Sequence, residues 1–362
     1  MKIGIVGLPF SGKTTLFNAL TGATADPAAS AGKREAQHAI VKVPDERLDK
    51  LDAIYQPKKK TPATIEYIDL SGLSADEQKK GGFSDQFLGQ LRTVDAVLVI
   101  AAAFNNENVP HPLNSINLQR DFKLVQEEFI LSDLGIIENR LQRLEKEMRV
   151  RKTDLHVKEE QVLQRCKSAI DALQPLRTLS FAPDEEILIR GYQFLSLKPH
   201  ILVPNIDEQE IGRSDAIAAE LAEWAGIPKT AVLAISARIE MEIQQLSEEE
   251  AELFRQDAGI KQPAMDRLLR SSYELLGLLS FFTVGEDEVR AWTIREHTPA
   301  PQAAGEIHSD IERGFIRAEI VHYDDFIARG TMAKCRAEAV LRLEGKEYIV
   351  KDGDIINFRF AV

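Results

Sequence analysis

Cysteine is scarce in this 362-residue chain: Cys166 and Cys335 are the only two, and they lie far apart. That argues against a disulfide framework and against a paired-thiol zinc site. A reducing cytoplasm is then the simplest compartment to expect. Long apolar runs are missing too. No stretch approaches the roughly 18 residues that would suggest a membrane span, and the N-terminus is too poor in apolar residues to read as a signal peptide. Positive charge is in deficit: 45 Lys and Arg against 57 Asp and Glu leave a net charge of −12. Such a balance argues against indiscriminate nucleic-acid binding, DNA included, while leaving room for a local basic face. Otherwise the composition, 44% hydrophobic and 28% charged, is that of an ordinary globular protein. The length predicts two or three domains, each able to bury a core.

What is present begins at once. Lys2-Ile3-Gly4-Ile5-Val6 reads as a short buried strand, and Thr15 to Leu20 carries apolar residues at helical spacing. Between them Gly7-Leu8-Pro9-Phe10-Ser11-Gly12-Lys13-Thr14 fits G-x-x-x-x-G-K-[ST], the loop that cradles nucleotide phosphates. Gly7 and Gly12 permit backbone conformations that aim successive N–H groups at phosphate oxygens. The helix N-terminus adds partial positive charge. Lys13 would reach the β- and γ-phosphates, and the Thr14 hydroxyl would ligate Mg²⁺. Pro9, Phe10, Ser11 and Thr15 belong to the same expected cradle.

Downstream segments agree with this. Thr64 to Ile68 alternates as a strand and ends in Asp69-Leu70-Ser71-Gly72, a D-x-x-G arrangement. There Asp69 is expected near Mg²⁺, and the Gly72 N–H can face a γ-phosphate. The apolar runs Ala96–Ala101, His200–Val203 and Ala231–Ile235 predict an α/β fold with a mainly parallel sheet covered on both faces. Ligands bind at the carboxyl ends of such strands, where Asn205-Ile206-Asp207-Glu208 and Ser236-Ala237-Arg238 stand. Asn205 occupies the place from which N-K-x-D reads guanine, but Ile206 and Glu208 depart from that pattern. A glutamate is one methylene too long for the guanine contact, which favours adenine. The plainer alternative makes Asn205 a turn residue capping its own loop.

The middle of the chain changes period. Ile130, Leu134, Ile137, Leu141, Leu144 and Met148 form a heptad seam, and Leu163, Cys166, Ile170 and Leu173 form a second. Joined by the polar stretch Arg149 to Asp154, they predict an antiparallel helical arm inserted between two strands of the sheet. Arg140, Arg143, Lys146, Arg149, Arg151 and Lys152 crowd towards its tip and could contact RNA; interspersed glutamates allow a plain solvated face instead. In the tail, Glu288–Ile294, Phe315–Val321, Ala339–Leu343, Tyr348–Val350 and Asp354–Phe360 read as short strands. With one helical segment they predict a small α+β domain of interaction type, preceded by a loop at Thr298-Pro299-Ala300-Pro301.

These segments together resemble the Obg-like ATPase (YchF) family of P-loop proteins over essentially the full length. The carriers are GLPFSGKTTLFNAL, VPDERLDKL, PATIEYIDLSGL, NIDE, SARIE and the tail EVRAWTI…APQAAGEIHSDIERGFIRAEIV…DGDIINFRF. The resemblance implies three parts: a P-loop domain over residues 1–119 and 198–277, a coiled-coil arm over 120–197, and a ubiquitin-like β-grasp TGS domain over 278–362. It implies ATP in preference to GTP, with Mg²⁺, slow hydrolysis and a ribosome or ribosomal RNA as partner. A monomer is the default. A GTPase, or a module that holds nucleotide without hydrolysing it, remains the alternative. Three departures stand out. Phe10-Ser11 replaces the family's usual Asn-Val. Lys33, followed by Arg34, stands where its P-F-x-T-I threonine would fall. Leu73 follows Gly72 where Ras-like enzymes carry a water-orienting glutamine, a substitution the family shares.

Overall fold

The computed structural model describes residues 1–22, 36–70, 82–106, 111–260 and 262–361. Twelve strands are described: β1 (Lys2–Val6), β2 (Gln37–Lys42), β3 (Lys59–Thr61), β4 (Thr64–Asp69), β5 (Ala96–Ala103) and β6 (His200–Ile206) in the first half. They are followed by β7 (Thr230–Val232), β8 (Leu278–Thr283), β9 (Glu288–Arg295), β10 (Phe315–His322), β11 (Arg342–Glu344) and β12 (Asp354–Phe360). The chain divides into two units, one of residues 1–39 and 66–268, the other of 40–65 and 269–362.

The first unit is built on a sheet in the order β2-β4-β1-β5-β6-β7. β1 runs parallel to β4 and β5, β5 to β6, and β6 to β7. All seven residues of β6 are buried, as are all but the last of β5. A strand covered on both faces needs that unbroken apolar run. The expected strand Ala231–Ile235 is shorter than its apolar run, because the regular ladder ends at Val232. Leu233 N–H and Ile235 N–H still donate to Leu202 O and Pro204 O at 2.9 Å each.

Between β5 and β6 rises the arm, a 33-residue helix Leu118–Val150 and an 18-residue helix Asp154–Asp171. Thr153 caps the second by accepting the His156 N–H, so the polar turn is a helix start with its own signal. Ile130, Ile137 and Leu144 of the seam are buried against Val162, Leu163, Cys166 and Ile170. Leu173 is not part of it: the helix has ended, its φ is 57°, and its side chain is 55% exposed. Among the described residues no helix is long and apolar enough to cross a membrane.

The second unit holds the order β11-β10-β12-β8-β9-β3. The parallel pair β12–β8 lies between antiparallel neighbours, β10 on one side and β9 on the other. The helix Ala300–Ile307 packs on one face with Phe281, Ile294, Ala318, Ile320 and Phe358, which is a β-grasp arrangement. That helix corrects the expected loop at Thr298–Pro301. Pro299 is its N-cap and Pro301 sits in the first turn, where a missing N–H breaks no bond. The single expected helix is four, with Ser309–Arg313, Tyr323–Arg329 and Met332–Ala337 added. Ala339, at φ 57°, lies outside β11, and Tyr348–Val350 contributes one isolated bridge, Ile349 to Pro299, instead of a strand. Segment 40–65 contributes the helix Glu46–Tyr55 and β3, which pairs in parallel with β9.

Candidate nucleotide site

At the carboxyl end of β1 the chain turns sharply and enters the helix Lys13–Thr21. Two glycines make the turn possible for different reasons. A Cβ on Gly7 would lie 2.1 Å from the carbonyl oxygen of Ile100, so the close approach of β5 excludes any side chain there. Gly12, the helix N-cap, has φ 95°, and a Cβ on it would lie 2.2 Å from Asn205 Nδ2. Both space and backbone geometry demand glycine. Sequence reasoning anticipated the glycines but not Ile100, a backbone contact that carries no residue signature.

The other loop residues are placed distinctly. Pro9 and Thr15 are half-buried. Phe10 is 55% exposed at φ 62°, an uncommon conformation for a residue with a side chain. Ser11 is 1% exposed, and its hydroxyl has no partner among the described residues. Lys13 Nζ donates to Gly7 O at 3.1 Å and Leu8 O at 2.8 Å, which folds the ammonium back over the loop. Thr14 Oγ1 donates to Asp69 Oδ2 at 3.3 Å, joining the first helix to the end of β4. The Asp69 side chain arrives there because Asp69 pairs with Ile5 in the parallel ladder. Gly72, Leu73, Lys33 and Arg34 lie outside the described residues.

Asn205 closes the loop from the other side. Its Nδ2 donates to Ser11 O at 2.9 Å, and its Oδ1 accepts the Ala237 N–H at 3.0 Å. One buried amide therefore ties the glycine loop to the Ser236-Ala237 turn, at the N-terminus of the helix Ala237–Ile243. Ser236 and Ala237 are themselves buried. The alternative that Asn205 caps its own loop is not what its hydrogen bonds do. Asp207 is the residue that does so, accepting the Gln209 N–H at 3.4 Å ahead of a 3₁₀ turn. Glu208 is exposed. The Arg238 guanidinium, bonded to Glu242 at 2.9 Å, is held above its usual range by Glu242 and then by the charges of Glu208 and Asp207. Residues from five segments thus meet at one end of the sheet, while Glu208 stays at the solvent rim.

The donor set can be weighed against Mg²⁺. Thr14 and Asp69 offer two hard oxygen atoms side by side. No group of three or more His, Cys, Asp or Glu suited to a metal occurs among the described residues. Two such oxygens suit a hard cation whose other ligands are water and phosphate oxygens.

Comparison with known proteins agrees with the geometry. A family model described as "50S ribosome-binding GTPase" matches residues 2–128. A second, YchF-GTPase_C, described as "Protein of unknown function (DUF933)", matches residues 278–361. The Ribosome-binding ATPase YchF of Bacillus subtilis is 40% identical over 365 residues and covers both chains completely. Its counterpart in Pasteurella multocida is 39% identical, covering 100% of this chain and 99% of its own. The solved structure of the Schizosaccharomyces pombe YchF GTPase matches with a TM-score of 0.87 at 30% identity, over 99% of this chain and 97% of the other. Identity of this order over the full length means that the chain belongs to the YchF family.

Proposed function

We propose that this chain is a cytoplasmic, ribosome-associated factor that binds ATP with Mg²⁺ and hydrolyses it slowly to ADP and phosphate. The observation that carries the reading is the Thr14–Asp69 contact across the mouth of a glycine loop. A hydroxyl and a carboxylate separated by 55 residues meet where a triphosphate and its cation would sit. Thr14 and Asp69 would hold Mg²⁺, which when bound neutralises charge on the phosphate oxygens. Lys13 would exchange the Gly7 and Leu8 carbonyls for β- and γ-phosphate oxygens. Backbone N–H groups of residues 10–15 would cradle the phosphates, that of Ser11 leaving the Leu8 carbonyl to do so. The Gly72 N–H is proposed to face the γ-phosphate during attack by water.

ATP is preferred over GTP in this reading because Glu208 stands exposed where a guanine-reading aspartate would be required. The bacterial relatives are named ribosome-binding ATPases and the fission-yeast one a GTPase, so base preference is a question for measurement. Calorimetric titration with Mg²⁺-ATP and Mg²⁺-GTP, followed by single-turnover hydrolysis, tests it. ATP bound more tightly, with turnover lost in Lys13→Ala, is the expected result. Full turnover in that variant would overturn the catalytic assignment. Tight binding without turnover, even with ribosomes added, would leave a module that only holds its nucleotide.

A further inference from the structure

Downstream of β4 lies a short helix, Asp85–Leu91, that is fastened at both ends to the base of the arm. At its start, the Phe83 ring stacks on Phe87 at 4.6 Å and on Phe129 of the long arm helix at 6.2 Å. The Phe83 N–H donates to Glu128 Oε2 at 3.4 Å. At its end, Arg92 Nη1 donates to Asp133 Oδ1 at 2.9 Å and to Gln193 O at 3.0 Å, while Nη2 donates to Ser132 Oγ at 2.7 Å. Asp133 is fully buried and also accepts the Leu195 and Ser196 N–H groups, at 3.0 and 2.8 Å. One carboxylate thereby holds the short helix, the outgoing arm helix and the returning chain.

The short helix is also continuous with the nucleotide site. Leu70, the residue after Asp69, lies in one buried cluster with Phe87, Leu88 and Leu91 and with the arm-base residues Phe122, Val125 and Phe129. Close-packed cores of this kind pass a displacement on instead of absorbing it. The long arm helix, 33 residues, extends roughly 50 Å at about 1.5 Å per residue. A tilt at its base is therefore enlarged at its tip.

We propose that the helix Asp85–Leu91 is the coupling element by which the occupant of the nucleotide site sets the orientation of the arm, with Phe83–Glu128 and Arg92–Asp133 as its two fastenings. The inference rests on the nucleotide-binding reading given above. It assigns Arg92, Glu128 and Phe83 positioning roles: none of them needs to touch nucleotide, and each acts through the arm. Coupling of this kind is established by a response that both sites share, not by spatial adjacency.

The test uses the full chain with spin labels at Gln142→Cys on the arm and Glu223→Cys on the sheet domain, both exposed. The native Cys166 and Cys335 are buried and escape brief labelling. The distance distribution is compared between Mg²⁺ with a non-hydrolysable ATP analogue and Mg²⁺-ADP, with nucleotide affinities taken by calorimetry on the same samples. The unmodified chain is expected to shift between the two states. In Arg92→Met/Asp133→Leu, which removes both charges of the pair and also takes the acceptor from the Leu195 and Ser196 N–H groups, the shift should be lost while both affinities stay within about twofold. Arg92→Lys should retain part of the shift. Should the apolar pair fail to melt cooperatively, Glu128→Ala/Phe83→Leu, which removes the acceptor and the ring, is judged by the same criteria. An undiminished shift in the uncoupled variants would overturn the proposal, as would an unmodified chain that binds both nucleotides without any shift. A chain that binds neither nucleotide would instead sink the functional reading, and this inference with it.

Discussion

Asn205 illustrates how a single buried side chain can tie two distant loops together. Both ends of its amide are engaged, one by Ser11 O and the other by the Ala237 N–H. Asn205→Ala would leave a buried N–H and a buried carbonyl unpaired, each at about 1–3 kcal/mol. Calorimetry should then show ATP affinity falling by about tenfold or more. An unchanged affinity would mean that the loop holds its shape unaided. The position was legible as a strand end facing a ligand; its task was not, because that depends on the separation of β6 from two loops far away in sequence. His200 supports a second prediction at this scale. Burial holds its imidazole well below the usual range, with the charges of Arg177 and Lys198 adding to the effect, and Nε2 has no partner among the described residues. The unfolded chain takes up a proton as pH falls through about 6.5, whereas the folded chain resists it. Stability from this source is therefore full above that pH and is lost below it, at up to about 1.4 kcal/mol per pH unit. Urea unfolding between pH 7.5 and 5.5 should show a shallower loss for His200→Phe, and equal slopes would refute the assignment.

Elements whose local signals all agree were legible, and those whose signals conflict were not. The strand, glycine loop and helix at the N-terminus each carry their own residue requirements, and all three point to one geometry. The arm follows from its heptads up to the point where the helix stops. Leu173 continues the spacing, but nothing in spacing records that the Ala172 N–H already closes the last turn onto Ser168 and Ala169. Pro299-Ala300-Pro301 misleads in the opposite sense, since prolines at a helix start resemble prolines in a loop. The arm also carries a prediction of its own. Leu144 is fully buried in the seam, far along the helix from the sheet. Leu144→Ala should cost about 2–5 kcal/mol in local stability. Hydrogen exchange should accelerate across 137–170 while ATP affinity stays within about twofold, because arm and phosphate loop share no hydrogen bond among the described residues. A tenfold loss of affinity would mean that the arm's packing and the site fold as one cooperative unit.

The two units of the molecule do not follow the order of the chain, and local pattern could not have announced this. Segment 40–65 leaves the first sheet at β2, builds the helix Glu46–Tyr55 and β3, and belongs with residues 269–362. Its fastening is chemical as well as geometric. Arg47 bonds to Asp45 and, at 2.6 Å, to Asp352, with its guanidinium 5.2 Å from the centre of the Phe282 ring. Tyr55 stacks on Phe326 at 5.7 Å. The expected boundary at residue 278, which the C-terminal family match also begins with, therefore cuts across a folded unit. A fragment of residues 278–362 would lack β3 from its sheet edge, uncover Phe326 and leave Asp352 without its arginine. Exposing a fully buried aromatic side chain costs about 1.5–3 kcal/mol, and small domains have little stability to lose. Calorimetry on that fragment should show a melt broader and many degrees lower than the C-terminal transition of the full chain. Adding a synthetic peptide of residues 40–65 should raise it by mass action, in proportion to the logarithm of peptide concentration once the binding site is saturated. A fragment that melts sharply at the full-chain temperature, indifferent to the peptide, would return segment 40–65 to the first unit. The residue to vary first is then Arg47: Arg47→Ala in the peptide should weaken the rescue, because Arg47 both bonds to Asp352 and lies over Phe282, whereas the Lys58–Asp287 and Lys59–Glu288 pairs are more exposed.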